Sequence, residues 1–170
     1  MRFSTEWIGD GPNASAEERA TLCNLQIFVN DENACLHFDP DSKTTLEHIT
    51  VPAVHLAEGL ATDWWSIFGG RDREHSVLHH RTGFALPDLG FKCDGSTVEV
   101  AATQLSSNNP SVRFWQTGAE LLSRECAEST LAEFIERVVG KLSCSGVSSS
   151  EVAARWSRVS GSRSTPDEHG

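Results

Sequence analysis

Apolar and polar positions alternate through the first part of the chain. Leu25, Ile27 and Val29 alternate with Gln26 and Phe28, and Ala34, Leu36 and Phe38 alternate with Cys35 and His37. The turn-forming stretch NDEN at 30–33 lies between the two runs and predicts a β-hairpin. A loop, DPDSKTT at 39–45, follows. From Val54 the period changes to steps of three and four: Val54, Ala57, Leu60, Ala61, Trp64, Trp65 and Phe68. His55, Glu58, Thr62 and Ser66 fall on the opposite side, so the spacing predicts an amphipathic helix over 52–68. Pro52 suits its first turn, and Gly69 or Gly70 suits a left-handed C-terminal position. Adjacent helical residues point about 100° apart. Burying both Trp64 and Trp65 therefore requires a wide apolar face, as on a helix lying across a sheet.

Residues 71–83, RDREHSVLHHRTG, read as a polar irregular segment. Strand alternation then resumes with Leu89, Phe91 and Cys93, a DG turn at 94–95, and Val98, Val100 and Ala102 alternating with Thr97, Glu99 and Ala101. After the turn-rich SSNNPS at 106–111, Val112, Phe114 and Gln116 alternate with Arg113 and Trp115. The last third is helical. Thr130 and Glu133 have the spacing of a capping box, and Leu131, Phe134, Ile135, Val138, Val139 and Leu142 form a stripe over 130–143. Ser148 with Glu151 suggests a second cap ahead of Val152, Trp156 and Val159. The stretch 160–170 holds no apolar residue and is expected to stay disordered. The order implies one α+β domain over 1–159. Its sheet should be mostly antiparallel, packed by the Trp-rich helix and two C-terminal helices. Leu25, Ile27, Leu36, Phe38, Leu60, Trp64, Phe68, Phe134, Ile135, Val138 and Leu142 are its expected core.

Composition narrows the partners. With 170 residues and 38% hydrophobic content, the chain is long enough to bury a core without metal or disulfides. A net charge of −10 argues against binding nucleic acid or an anionic membrane surface. It leaves open an acidic inhibitor that mimics nucleic acid, although the 24 acidic residues form pairs rather than rows. Five cysteines without a CxxC pair suit a reducing compartment. No signal-peptide core or membrane-length apolar run is present, so a cytoplasmic location is expected.

The candidate chemistry concentrates between 71 and 81. Arg71, Arg73, His75, His79, His80 and Arg81 make a basic island on an acidic chain. In a helix, His75 and His79 would share one face, as the histidines of H-E-x-x-H do. Here Glu74 precedes the first histidine and Ser76 occupies the general-base position. That departs from the hydrolytic pattern and favours a partner-binding surface. Two other pairings are weaker: a Cys35–His37–Asp39 line on one strand face, and His55 with Glu58 on the polar side of the Trp-rich helix. No G-x-S-x-G, P-loop or G-x-G-x-x-G occurs. These residues assign no catalytic group, no cofactor and no metal.

The succession of VPAVHLAEGLATDWW, an Arg/His segment, TGFALPDLGF and a DG turn resembles a region found ahead of the peptidase-like domain in bacterial ImmA/IrrE-type proteins. The resemblance covers about Phe3 to Trp156. The family's H-E-x-x-H motif belongs to the downstream domain and has no counterpart here. The resemblance implies a non-catalytic accessory module of bacterial regulation or of defence against mobile elements, acting on another protein. A metal-dependent hydrolase built on His75, His79 and His80 is the second expectation, and the acidic inhibitor the third.

Overall fold

The computed structural model describes residues 1–8, 12–35, 38–39, 44–45, 49–69, 73–77, 87–105, 113–147 and 150–163. In chain order its elements are β1 (Arg2–Trp7), α1 (Ala16–Thr21), β2 (Leu22–Val29), β3 (Glu32–Asn33), β4 (Phe38–Asp39), β5 (Thr44–Thr45) and β6 (Ile49–Pro52). Then come α2 (Ala53–Phe68), β7 (Arg73–Val77), β8 (Asp88–Asp94), β9 (Thr97–Leu105), β10 (Arg113–Gln116), β11 (Glu120–Ser123), α3 (Arg124–Cys144) and α4 (Glu151–Arg163).

Local chemistry sets the turns. Asn30 and Asp31 both take positive φ, 52° and 61°, as a type I′ turn requires at its two central positions. They join β2 to a β3 of two residues, with Val29 opposite Glu32. The strand expected over Ala34, Leu36 and Phe38 is not continuous. Ala34 and Cys35 sit in a turn, and Phe38–Asp39 pairs instead with Thr44–Thr45. Leu36 and His37 lie outside the described residues. In the β8–β9 hairpin Asp94 pairs with Thr97, so Gly95 and Ser96 form the loop. Gly95 supplies the positive φ, 55°.

Beside the two-stranded β4–β5 pair, two larger antiparallel sheets form among the described residues. In one, β2 pairs with β1 along one edge and with β6 and β3 along the other. In the second, β9 pairs with β8, which pairs with β7. The far edge of β9 is shared by β10 and β11. Thr117 bridges the gap between those two strands. Its N–H donates to Ala102 O at 2.9 Å, and its Oγ1 accepts from Ala102 N–H at 2.9 Å. Glu32 Oε1 accepts from Gly118 N–H at 2.9 Å and Glu120 Oε2 from Asn30 N–H at 2.6 Å, tying the two sheets together.

Each sheet turns one apolar face inward: Cys23, Leu25, Ile27 and Val29 from β2; Leu89, Phe91 and Cys93 from β8; Val98, Val100 and Ala102 from β9. The helices pack over this surface, with α2 in contact with α1, α3, α4, β2, β7 and β8. This is the α+β domain that the sequence predicts. The expected core residues Leu25, Ile27, Leu60, Trp64, Phe68, Phe134, Ile135, Val138 and Leu142 are all buried. The side chains of Leu36 and Phe38 lie outside the described set.

Helix boundaries depart from the sequence reading in specific ways. Pro52 ends β6 opposite Leu22, and the helix begins at Ala53. At the far end Gly69 is right-handed, φ −80° and ψ −3°, and donates to Trp65 O at 2.7 Å. The left-handed cap expected there is therefore not at Gly69, while Gly70 lies outside the described residues. Helix α3 starts at Arg124, well before Thr130, because Ser123 Oγ accepts from Cys126 N–H at 3.2 Å. Thr130 lies inside the helix and its hydroxyl donates to Cys126 O at 2.8 Å. Ser150 Oγ accepts the Ala153 N–H at 3.2 Å, and Ser148, the expected cap, lies outside the described residues. Helix α4 continues past Val159 to Arg163, into the stretch expected to be disordered.

Candidate recognition groove

Within the Arg/His segment, Arg73–Val77 forms a strand where the polarity predicts an irregular loop. Arg73 and His75 belong to β7, opposite Cys93 and Phe91 of β8. His75 therefore has strand backbone, which removes the helical premise for pairing it with His79. Arg71, His79, His80 and Arg81 lie outside the described residues. Among the described residues no three His, Cys, Asp or Glu side chains converge on a point that could hold a metal.

The other candidate pairings also dissolve. Cys35 sits in a turn rather than on a strand, with its N–H on Asn33 Oδ1 at 3.0 Å, and His37 lies outside the described residues. Burial pushes the Cys35 thiol up to about 11, and that of Cys23 up to about 12. Burial likewise raises Cys93. These three are neutral packing groups rather than nucleophiles at ordinary pH. All five cysteines are free thiols, with Cys126 and Cys144 at the surface. His55 Nε2 lies 3.7 Å from Glu18 Oε1, linking α2 to α1, and does not pair with Glu58. Glu18 is held below the usual carboxylate range chiefly by the Ser15 N–H, which donates to its carboxylate at 2.7 Å within a capping box.

The adjacent tryptophans build the most distinctive surface. Trp64 points into the core, 1% exposed, with ring centroids 4.8 Å from Phe68 and 5.2 Å from Trp156 of α4. The helical step turns Trp65 outward, and it is 50% exposed. Of the adjacent pair, Trp64 alone packs in the core. Trp65 forms one wall of a groove of about 290 Å³ with Ala61 and Thr62 of α2 and Arg155, Arg158 and Val159 of α4.

Electrostatics divides the two arginines. Arg155 Nε donates to Glu151 Oε1 at 3.1 Å, and the same nitrogen stands 3.9 Å from Glu58 Oε1 across on α2. Arg158 is exposed and makes no ion pair among the described residues. The groove thus combines an open indole face, a fixed guanidinium and an uncommitted one. It offers no enclosed cavity of the size that small-molecule sites have.

A second hollow, about 170 Å³, lies between β1 and α3 over the stacked rings of Phe3 and Phe134. Its cations are already engaged. The Arg2 guanidinium sits 3.5 Å from the centroid of Phe28, and Arg137 donates to Thr5 Oγ1 at 3.2 Å.

Sequence reasoning missed Arg155 and Arg158. The apolar spacing of Val152, Trp156 and Val159 shows which side of α4 is buried, so both arginines could be placed on its flank. What periodicity does not show is which helix lies alongside.

Comparison with family models, curated proteins and solved structures finds no match to this chain. Among the described residues no helix is long and apolar enough to cross a membrane.

Proposed function

We propose that the chain is a non-enzymatic protein-recognition module that engages another protein through the α2–α4 groove. The observation that carries this reading is the half-exposed Trp65 beside Arg155 and Arg158 in a concave surface. Tryptophan and arginine are the residues most enriched at the energetic centres of protein interfaces. A large aromatic left open to water costs solvation free energy until a partner covers it. The resemblance to the accessory region of ImmA/IrrE-type proteins supplies the biological setting, a bacterial regulatory or anti-mobile-element system. Free thiols suit the reducing cytoplasm of such a cell.

The test is affinity capture from the native host, followed by reconstitution of the captured protein in purified form. Trp65→Ala and Arg158→Glu are each expected to weaken the reconstituted complex by about tenfold or more, roughly 1.4 kcal/mol, with the melting temperature held. Joint charge reversal of Arg71, Arg73 and Arg81 tests the surface that the sequence first suggests. A complex that survives both groove variants and yields to the triple reversal moves recognition to that segment. A complex indifferent to all of them overturns the proposal.

A further inference from the structure

We infer that the groove is built for an acidic segment of a protein, one that sets a carboxylate on Arg158 and a large apolar side chain against Trp65 and Val159. The inference rests on the recognition reading above and specifies the chemistry of the partner. Its first support is charge. Arg155 is bound by Glu151 and Glu58, so its fork is held in place and its charge is compensated locally. Arg158, one turn further along the groove, has no acid of its own among the described residues. An uncommitted guanidinium at the exposed rim of a groove is complemented by a carboxylate, to which its planar fork donates two bonds at once. The second support is shape. Ala61 and Thr62 are small, so they leave a depression between the Trp65 ring and Val159 that an aliphatic side chain fills.

The same charges separate an acidic peptide from a polyphosphate chain. The protein carries a net charge of −10, which repels any polyanion long enough to reach past the groove. At physiological salt, charges are screened beyond about 8 Å, so a short segment with a carboxylate at Arg158 meets the local cation and little of the distant field. Nucleic acid gains from many cations along its backbone, and this groove supplies only two.

Nitrogen-edited NMR of the full chain tests the inference with three probes: a short synthetic Glu–Leu peptide, its Lys–Leu counterpart and a single-stranded oligothymidylate. The Glu–Leu peptide is expected to move the Trp65 indole N–H and Arg158 Nε–H signals saturably, and the other two to leave them in place. Arg158→Gln and Trp65→Ala should each weaken that response by about tenfold. Equal response to the Lys–Leu peptide or to the oligonucleotide overturns the inference, as does no response to the Glu–Leu peptide. The reconstituted native complex separates the two levels of the argument. If Trp65→Ala releases the partner while Arg158→Glu does not, recognition at the groove stands and the acidic segment falls. If neither variant releases it, both fall.

Discussion

The rings of Trp64 and Trp156 meet edge to face, centroids 5.2 Å apart and planes at 69°, and so lock α4 onto α2 from inside. Their contact aligns the outer flanks of the two helices, where Trp65, Arg155 and Arg158 line the groove. One tryptophan of the pair is thus structural, and the other faces solvent beside the arginines.

Truncating each member of the pair should give opposite readouts. Trp64→Ala removes a ring that is 1% exposed and is expected to cost about 3–5 kcal/mol in denaturant unfolding. Trp65→Ala is expected to stay within about 0.5 kcal/mol, as surface substitutions do. Similar losses for the two would mean that Trp65 is a core residue.

The start of α3 offers a direct comparison between two hydroxyls. Ser123 caps the helix by accepting the Cys126 N–H, whereas Thr130 bonds back to the preceding turn. Ser123→Ala should cost about 1 kcal/mol. Thr130→Ala should cost nothing measurable, because alanine is the better helix former. Thermal melts of the two variants decide it; a larger loss at Thr130 would place the functional cap there.

These cases show what could be read in advance. Helix α2 was legible because its apolar residues keep a helical period over four turns, and the β8–β9 hairpin because strict alternation flanks a glycine turn. The Trp65 exposure was not legible, since a period identifies a buried stripe without giving its width. Strand β11 hands over to α3 directly at Ser123, with no turn residues to announce the change, while Thr130 and Glu133 imitate a cap by spacing alone. Helix α1 carries a usable sequence signal, Ser15 followed by Glu18, which forms a full capping box. Strand β7 was hidden by its polarity: REHSV alternates no apolar face. The groove was the least legible feature, because it exists only once the register of α4 against α2 is set.

Thr117 should be more sensitive than its place between strands suggests. It is 4% exposed, and its hydroxyl is the acceptor that satisfies the buried Ala102 N–H where β10 gives way to β11. Thr117→Val keeps the shape and removes the acceptor, for an expected loss of about 1–3 kcal/mol. Thr117→Ser retains the hydroxyl and should lose less. Equal losses would assign the effect to the methyl group and not to the bond.

Glu120 gives the clearest dependence on pH. Burial pulls its pKa upward, but bonds from the Met1 amine and from the Asn30 N–H outweigh this and leave it below its ordinary 4.5. A carboxyl with a depressed folded pKa stabilises the fold above its unfolded pKa, and the contribution is lost as pH falls through the folded value. Glu120→Gln removes the titration and weakens both bonds. At neutral pH the variant should therefore melt below the wild type. As pH drops from about 4.5 through the lower folded pKa, the wild type should lose stability faster, and the gap between the two melting temperatures should close. Melting curves collected across that range test the sign. A gap that is constant with pH would show that the carboxylate charge at Glu120 does not hold the two sheets together.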